Sequence, residues 1–227
     1  MGDLVQSVSV LLSSAQARAD VAAQNIANMA TSGYRSKLSF VELAAAGSVV
    51  VRTSPSLVAG ALTETGNPFD LAIDGPGFFE LRGADGPVYT RDGHFKRADD
   101  GRLLGAGGLP LQAIGGDLVA PAADATVSRD GVLLVDGEAA ARLRVVHLEA
   151  ADLVEAGDGL FRSVGRSEDV AAPVVRQGFL EGANVALGQE MIVLMESVRR
   201  AEAGQRLMNV YDDLLGRAVT AFGAGGA

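Results

Sequence analysis

The chain has 227 residues, 48% of them hydrophobic, with no cysteine, no tryptophan and a formal net charge of −9. That charge argues against nucleic acid or an anionic membrane surface as partner. The missing thiols exclude a disulfide framework and cysteine-ligated metal. The acidity sits in the middle: residues 38–183 carry 21 acids against 12 bases, while the two ends balance. Neutral ends and an acidic centre suggest ends that pack and a centre that faces solvent. No apolar run approaches the length of a membrane span. Met1-Gly2-Asp3-Leu4 lacks the basic region of a cleavable signal peptide, so any export is expected to remove nothing.

From Leu4 to Met29, apolar residues recur at Leu4, Val8, Leu11, Ala15, Ala22, Ile26 and Met29. The spacing predicts a helix with a narrow apolar stripe, small in its second half and marginal alone. Asn28, Thr31, Ser32 and Gly33 then draw the chain out of the helix, and Gly33 supplies a positive φ that Tyr34 could not.

Ala44 to Gly60 reads as an extended connector. Short strand-like runs follow at Phe69–Ile73, Phe78–Arg82, Val88–Arg91, His94–Arg97 and Arg102–Leu104. The pieces between them, Gly75-Pro76-Gly77, Ala84-Asp85-Gly86, Asp92-Gly93 and Asp99-Asp100-Gly101, have hairpin-turn chemistry. A second β block is expected from Leu118 to Val175, with turns at Asp130-Gly131 and Asp136-Gly137.

The last forty residues carry the longest pattern. Apolar positions fall at Leu187, Met191, Leu194, Val198, Ala201, Met208, Tyr211, Leu215, Ala218 and Phe222. The steps alternate four and three, the period of a helix that faces another helix. Gln205 is the polar exception, and the step from Met208 to Tyr211 breaks the alternation as a stammer. Asn184 is the expected N-cap, and Gly223 the stop. Such a helix would be roughly 54 Å long, too long for a small core, and the N-terminal stripe is its only match in the chain. Gly204 inside it costs about 1 kcal/mol relative to Ala, so a bend or a tight neighbour is expected there.

Chemistry-bearing patterns are sparse. His94 and His147 are the only histidines, without the spacing of a metal pair. Asp99-Asp100-Gly101 and Gly157-Asp158-Gly159 lack calcium-loop spacing. Gly105-Ala106-Gly107-Gly108 lacks the lysine of a phosphate loop, and there is no Gly-x-Ser-x-Gly nucleophile elbow. No catalytic residue, metal or cofactor is expected, and no enzymatic activity.

Three stretches together resemble one family. Asn25-Ile26-Ala27-Asn28-Met29-Ala30-Thr31-Ser32-Gly33-Tyr34-Arg35 is similar to the N-terminal signature of bacterial flagellar rod and hook proteins. Gly66-Asn67-Pro68-Phe69-Asp70-Leu71-Ala72-Ile73-Asp74-Gly75-Pro76-Gly77-Phe78-Phe79 matches a second family stretch, and Gly182-Ala183-Asn184-Val185 a third. The resemblance spans the whole chain in order. Gln24 stands where the family usually has a second Asn, and Arg200 is followed by Ala201 rather than by an aromatic residue.

The resemblance implies an α+β fold, with N- and C-terminal helices pairing as a coiled-coil-like layer and a central all-β domain of short antiparallel strands. The expected division is 1–36 axial helix and signature, 37–65 connector, 66–180 β domain and 181–227 axial helix. It implies a structural subunit of the basal-body rod, periplasmic, built with paralogous rod subunits and delivered unfolded by the flagellar export apparatus. No small-molecule substrate and no membrane insertion are implied. The short chain with one β region is most like the proximal rod member, with a distal-rod or hook-type paralogue as the alternative. The assembly surface is then Leu4, Val8, Leu11, Ala15, Ile26, Leu187, Met191, Leu194, Val198, Met208, Tyr211 and Leu215. A different class also fits the stripes: a monomeric secreted β-domain binding protein whose helices satisfy each other. Resistance of both termini to protease would favour it.

Overall fold

The structure, a computed structural model, describes residues 2–43, 49–121 and 125–223. Side chains at 2–4, 41, 43, 49–50, 218–219 and 221–223 lie outside that description. The expected stripe positions Leu4, Ala218 and Phe222 therefore fall outside it, as does the first part of the connector. The fold is α+β, two long helices and a β-rich centre, and the chain divides into two compact units.

The helical unit comprises residues 1–27, 37–53 and 186–227. Helix α1 (Gly2–Ala27) and helix α2 (Leu187–Gly223) pack together, accompanied by a two-stranded sheet of β1 (Lys37–Leu43) and β2 (Val49–Pro55). The last residues of β2 fall in the other unit. The connector thus contains paired strands rather than plain extended chain. The β-branched run Val49-Val50-Val51 suits that state. Asn184 does not cap α2: the helix opens at Leu187, where Gln189 N–H and Glu190 N–H donate to the Ala186 carbonyl.

The β unit comprises residues 28–36 and 54–185. After β3 (Leu62–Glu64) and β4 (Leu71–Ile73) come the hairpin strands β5 (Phe78–Gly83) and β6 (Gly86–Thr90). Short pieces follow as β7 (Lys96–Arg97), β8 (Leu103–Leu104), β9 (Gln112–Ala113) and β10 (Gly116–Asp117). Next are β11 (Thr126–Val127), β12 (Val132–Val135), β13 (Glu138–Arg142) and β14 (Val145–His147). The unit closes with β15 (Leu153–Gly157), β16 (Leu160–Ser163), β17 (Glu168–Asp169), β18 (Val175–Gln177) and β19 (Phe179–Glu181).

Six strands form the main antiparallel sheet in the order β15-β16-β6-β5-β14-β17. Its centre is apolar on both faces, which follows from alternation along β5. Phe79 and Leu81 enter the larger core with Leu71, Ile73, Phe95 and Leu111. Phe78 faces the other way, into a smaller core with Tyr89, Val146, Leu148 and Phe161. Burial of Phe78 and Phe79 on opposite faces explains an apolar pair where a surface strand would alternate. The returning strands β18 and β19 pair antiparallel with β4 and β3.

The turn expected at Asp136-Gly137 and the Gly157-Asp158-Gly159 piece are both tight turns, with positive φ at Asp136, Gly137, Asp158 and Gly159. Asp92-Gly93 is not a hairpin turn. Gly93 keeps an ordinary φ, and a Cβ there would lie 1.6 Å from the Leu71 carbonyl oxygen. Glycine is needed at 93 for close backbone approach, and sequence alone cannot tell that need from turn geometry.

Candidate assembly surfaces and signature clusters

In the helical unit, Gly204 of α2 lies beside Leu12 of α1, and Glu190 beside Asn25. The two helices therefore run in opposite directions. On α1 the most buried positions are Val8, Ala15, Ala22 and Asn25, with Leu11 and Ile26 half-buried. On α2 the sheltered line is Glu190, Leu194, Ser197, Ala201, Gly204, Met208 and Tyr211. Its steps alternate four and three without interruption. The expected stripe shares Leu194, Ala201, Met208 and Tyr211 with this line. Leu187, Met191, Val198 and Leu215 are exposed, and Gln205 is exposed as well. The stammer disappears once Ser197 and Gly204 take the inward places.

Small residues hold those places for a physical reason. A Cβ at Gly204 would sit 2.8 Å from Leu12 Cδ2, so the helices approach closely there. Other large apolar side chains of α2 are exposed on two flanks. Met191 (44% exposed), Met195 and Val198 (48%) occupy its first half; Leu207 (53%), Val210 and Leu214 (58%) its second. Arg199, Glu202, Ala203, Arg206, Leu207 and Val210 line a groove along that outer side.

Asn25 fixes the entry to β1. Its Oδ1 accepts the Lys37 N–H at 2.8 Å, and its Nδ2 donates to the Lys37 carbonyl at 3.1 Å and to Glu190 Oε1 at 3.0 Å. Asn28 and Thr31 end the signature helix by bonding one another through backbone and side chain.

In the β unit the second half of the signature is anchored deeply. Gly33 has φ +66°, and a Cβ there would lie 2.2 Å from Asp92 N. Tyr34 is buried, and Ser32 Oγ donates to Asp92 Oδ1. Arg35 Nη1 contacts Glu181 Oε1 at 3.1 Å, and Arg91 Nη1 contacts Glu181 Oε2 at 3.1 Å. Arg91 also donates to the carbonyls of Ile73 and Gly75. All three side chains are almost fully buried. Burial lowers the pKa of Arg35; burial, with the nearby Arg35 charge, lowers Arg91 to about 10, against the pull of Glu181. Both remain cations at neutral pH, so the cluster buries two positive charges and one negative. The Nε atoms of both arginines are buried without a hydrogen bond.

The central motif makes a second polar cluster. Asp70 accepts from Thr65 Oγ1 (2.7 Å) and Asn67 Nδ2 (2.9 Å), and its Oδ1 lies 2.9 Å from His94 Nδ1. Asn67 Oδ1 caps the turn through Phe69 N–H. Gly66 takes φ +73° in open space, whereas a Cβ on Gly77 would meet Val145. Asp74 pairs with Arg176 at 2.7 Å, and the Gly75 carbonyl serves Arg91. Asn184 Oδ1 accepts Ser36 N–H at 2.6 Å, while its Nδ2 donates to Val58 O at 2.7 Å and Ser56 O at 3.3 Å. Val185 is half-buried beside it.

The buried Arg35–Glu181–Arg91 cluster was not legible in the sequence, because charged residues read as surface. Among the described residues, no group of three or more His, Asp or Glu side chains could hold a metal ion, and no helix is long and apolar enough to cross a membrane.

Comparison with known proteins matches these elements. Residues 72–135 fit the family described as flagellar hook protein FlgE/F/G D1 domain, and residues 176–221 the flagellar basal body rod FlgEFG protein C-terminal. The chain is 32% identical to the flagellar basal-body rod protein FlgF of Rhizobium meliloti, over 91% of this chain and 92% of that one. It is 29% identical to FlgF of Caulobacter vibrioides, over 90% and 91%. The flagellar basal-body rod protein FlgG of Agrobacterium fabrum is also 29% identical, over 88% and 91%.

Proposed function

The chain belongs to the family of flagellar basal-body rod proteins and is a structural subunit of that rod, and within it we propose a FlgF-like place in the proximal segment. In this reading α1 and α2 pair as a coiled-coil-like layer, and neighbouring rod subunits cover the outer faces of α2. One observation carries it. With its inward line already covered by α1, α2 still exposes Met191, Met195 and Val198 on one flank and Leu207, Val210 and Leu214 on the other. An isolated soluble domain has little reason to keep six large apolar side chains along one helix. Contacts that repeat head to tail bury such faces and generate open-ended assemblies. The intramolecular packing of α1 on α2 is the feature a monomeric binding protein would share; the outward stripes favour the rod. The surfaces assigned to assembly are those stripes with Leu187 and Leu215, while Val8, Leu11, Ala15, Ile26, Leu194, Met208 and Tyr211 shape the helix pair. Delivery through the flagellar export apparatus as an unfolded chain belongs to the same proposal.

The test uses exposed positions only, because Leu194 also packs toward α1. Val198→Asp combined with Leu207→Asp is expected to leave helix content and the denaturation midpoint near wild type, yet abolish recovery of the protein in purified basal bodies. Normal incorporation of that double variant would overturn the proposal.

A further inference from the structure

The chain enters or leaves the β unit at four places, next to residues 28, 36, 54 and 185. Three of these lie within a few residues of one polar knot. The Asn184 side chain holds Ser36 N–H on one side and the carbonyls of Val58 and Ser56 on the other. Ser56 N–H in turn donates to the Ser36 carbonyl at 2.8 Å. Glu181 repeats the arrangement with its backbone and side chain together. Its carbonyl accepts Gly33 N–H at 2.7 Å, its Oε1 accepts Gly60 N–H at 2.8 Å, and its carboxylate lies between Arg35 and Arg91. Gly182 N–H adds a bond to the Ala61 carbonyl at 2.8 Å. Two side chains three residues apart thus bind segments 33–36 and 56–60 to the segment that precedes α2.

We propose that Asn184 and Glu181 form a load-sharing clamp that joins three of the four exits of the β unit into one cooperative element. A lone chain exit can peel away one hydrogen bond at a time. Three exits tied crosswise through the same two side chains open together, because releasing either side chain frees more than one segment at once. The mechanical meaning, a subunit that does not unravel from one strand under twist, rests on the rod reading. The coupling itself does not, and it is measured without any assembly.

The experiment is residue-resolved amide hydrogen exchange on the full-length monomer, wild type and Asn184→Asp. In the wild type the amides of Gly33, Ser36, Ser56, Gly60 and Gly182 are expected to share one opening constant, within about threefold. Asn184→Asp keeps an acceptor for Ser36 N–H but loses both donors to Ser56 and Val58. It is expected to accelerate all five amides together by about tenfold or more. Acceleration of Ser56 alone would overturn the clamp. So would wild-type constants already scattered over more than about tenfold, a result that stands even if the variant fails to fold.

Discussion

Asn25 holds Lys37 by both of its backbone groups, accepting its N–H at 2.8 Å and donating to its carbonyl at 3.1 Å. A side-chain amide here imitates a neighbouring strand, and it does so from a fully buried position on α1. The same amide reaches Glu190 on α2, so one residue joins both helices to the start of β1. Asn25→Leu takes that partner away from those groups at a fully buried position. The expected cost is about 2–4 kcal/mol, read from urea denaturation followed by helical circular dichroism. A loss below about 0.5 kcal/mol would mean that water replaces the amide and the junction is open.

Among the described residues, Glu181 is the only carboxylate paired with the two buried guanidinium groups. Glu181→Gln keeps the shape but leaves both cations buried, and about 3–5 kcal/mol of stability should be lost. The combination Arg35→Met, Arg91→Met and Glu181→Leu removes every charge together. It should recover most of that loss, because well-packed apolar replacements of a buried ion cluster are often neutral or stabilising. If the triple variant is as unstable as Glu181→Gln, the cluster's value lies in its backbone contacts and not in charge compensation.

Three glycines separate two causes of glycine dependence. Gly66 has φ +73° with nothing near its absent Cβ, so Gly66→Ala should cost only the left-handed strain, about 1–2 kcal/mol. Gly93 has an ordinary φ but no room, since an added methyl group would fall 1.6 Å from the Leu71 carbonyl oxygen. Gly33 has both problems. Gly93→Ala and Gly33→Ala should each exceed about 3 kcal/mol, because backbone must move. Thermal melts of the three variants check the order. A Gly93→Ala protein as stable as Gly66→Ala would show that β4 can shift aside.

Glu80 supplies a pH signature. Its carboxylate lies 3.0 Å from Arg144, which also binds Asp169 at 2.9 Å. Burial raises the Glu80 pKa above the ordinary 4.5, Arg144 opposes the rise, and Asp169 adds to it. A carboxyl raised in the folded state favours its neutral form there. Its stabilising contribution is complete below the unfolded pKa and is lost as pH rises through the folded one. Glu80→Gln removes that loss, so the variant should gain stability relative to wild type as pH climbs from about 4 to about 6. Parallel denaturation curves at each pH would test it, and a gap that stays constant would place Glu80 in a water-like site.

The chain order of helix, β centre and helix was legible because periods of 3.6 and 2 survive in the apolar residues. What failed was phase. Ser197 and Gly204 are buried against α1, yet neither looks apolar, so hydrophobicity gives the first slot to Val198, and the period carried on from it puts the polar Gln205 in the second. The Asp-Gly rule succeeded at Asp136-Gly137, where the need is local φ, and failed at Asp92-Gly93, where the need comes from the Leu71 backbone running alongside. Arg35, Arg91 and Glu181 meet only in three dimensions, and no local pattern announces a buried charge whose partners lie far along the chain.

Gly204 tests the helix contact most directly. Replacing glycine by alanine in a helix should gain about 1 kcal/mol. In the wild-type background that gain is opposed, since the new Cβ would stand 2.8 Å from Leu12 Cδ2 and 3.1 Å from its Cγ. Those atoms end a flexible side chain, which can swing to a poorer rotamer at about 0.5–1.5 kcal/mol. Gly204→Ala alone should therefore be nearly neutral. In a Leu12→Ala background nothing opposes the new methyl group, and the same substitution should stabilise by about 1 kcal/mol. The double-mutant cycle then shows a coupling of about 1 kcal/mol between positions on helices that no local interaction joins. Equal stabilisation in both backgrounds would mean that α1 and α2 stand apart at this point in solution, and that the inward line of small residues serves a neighbouring subunit instead.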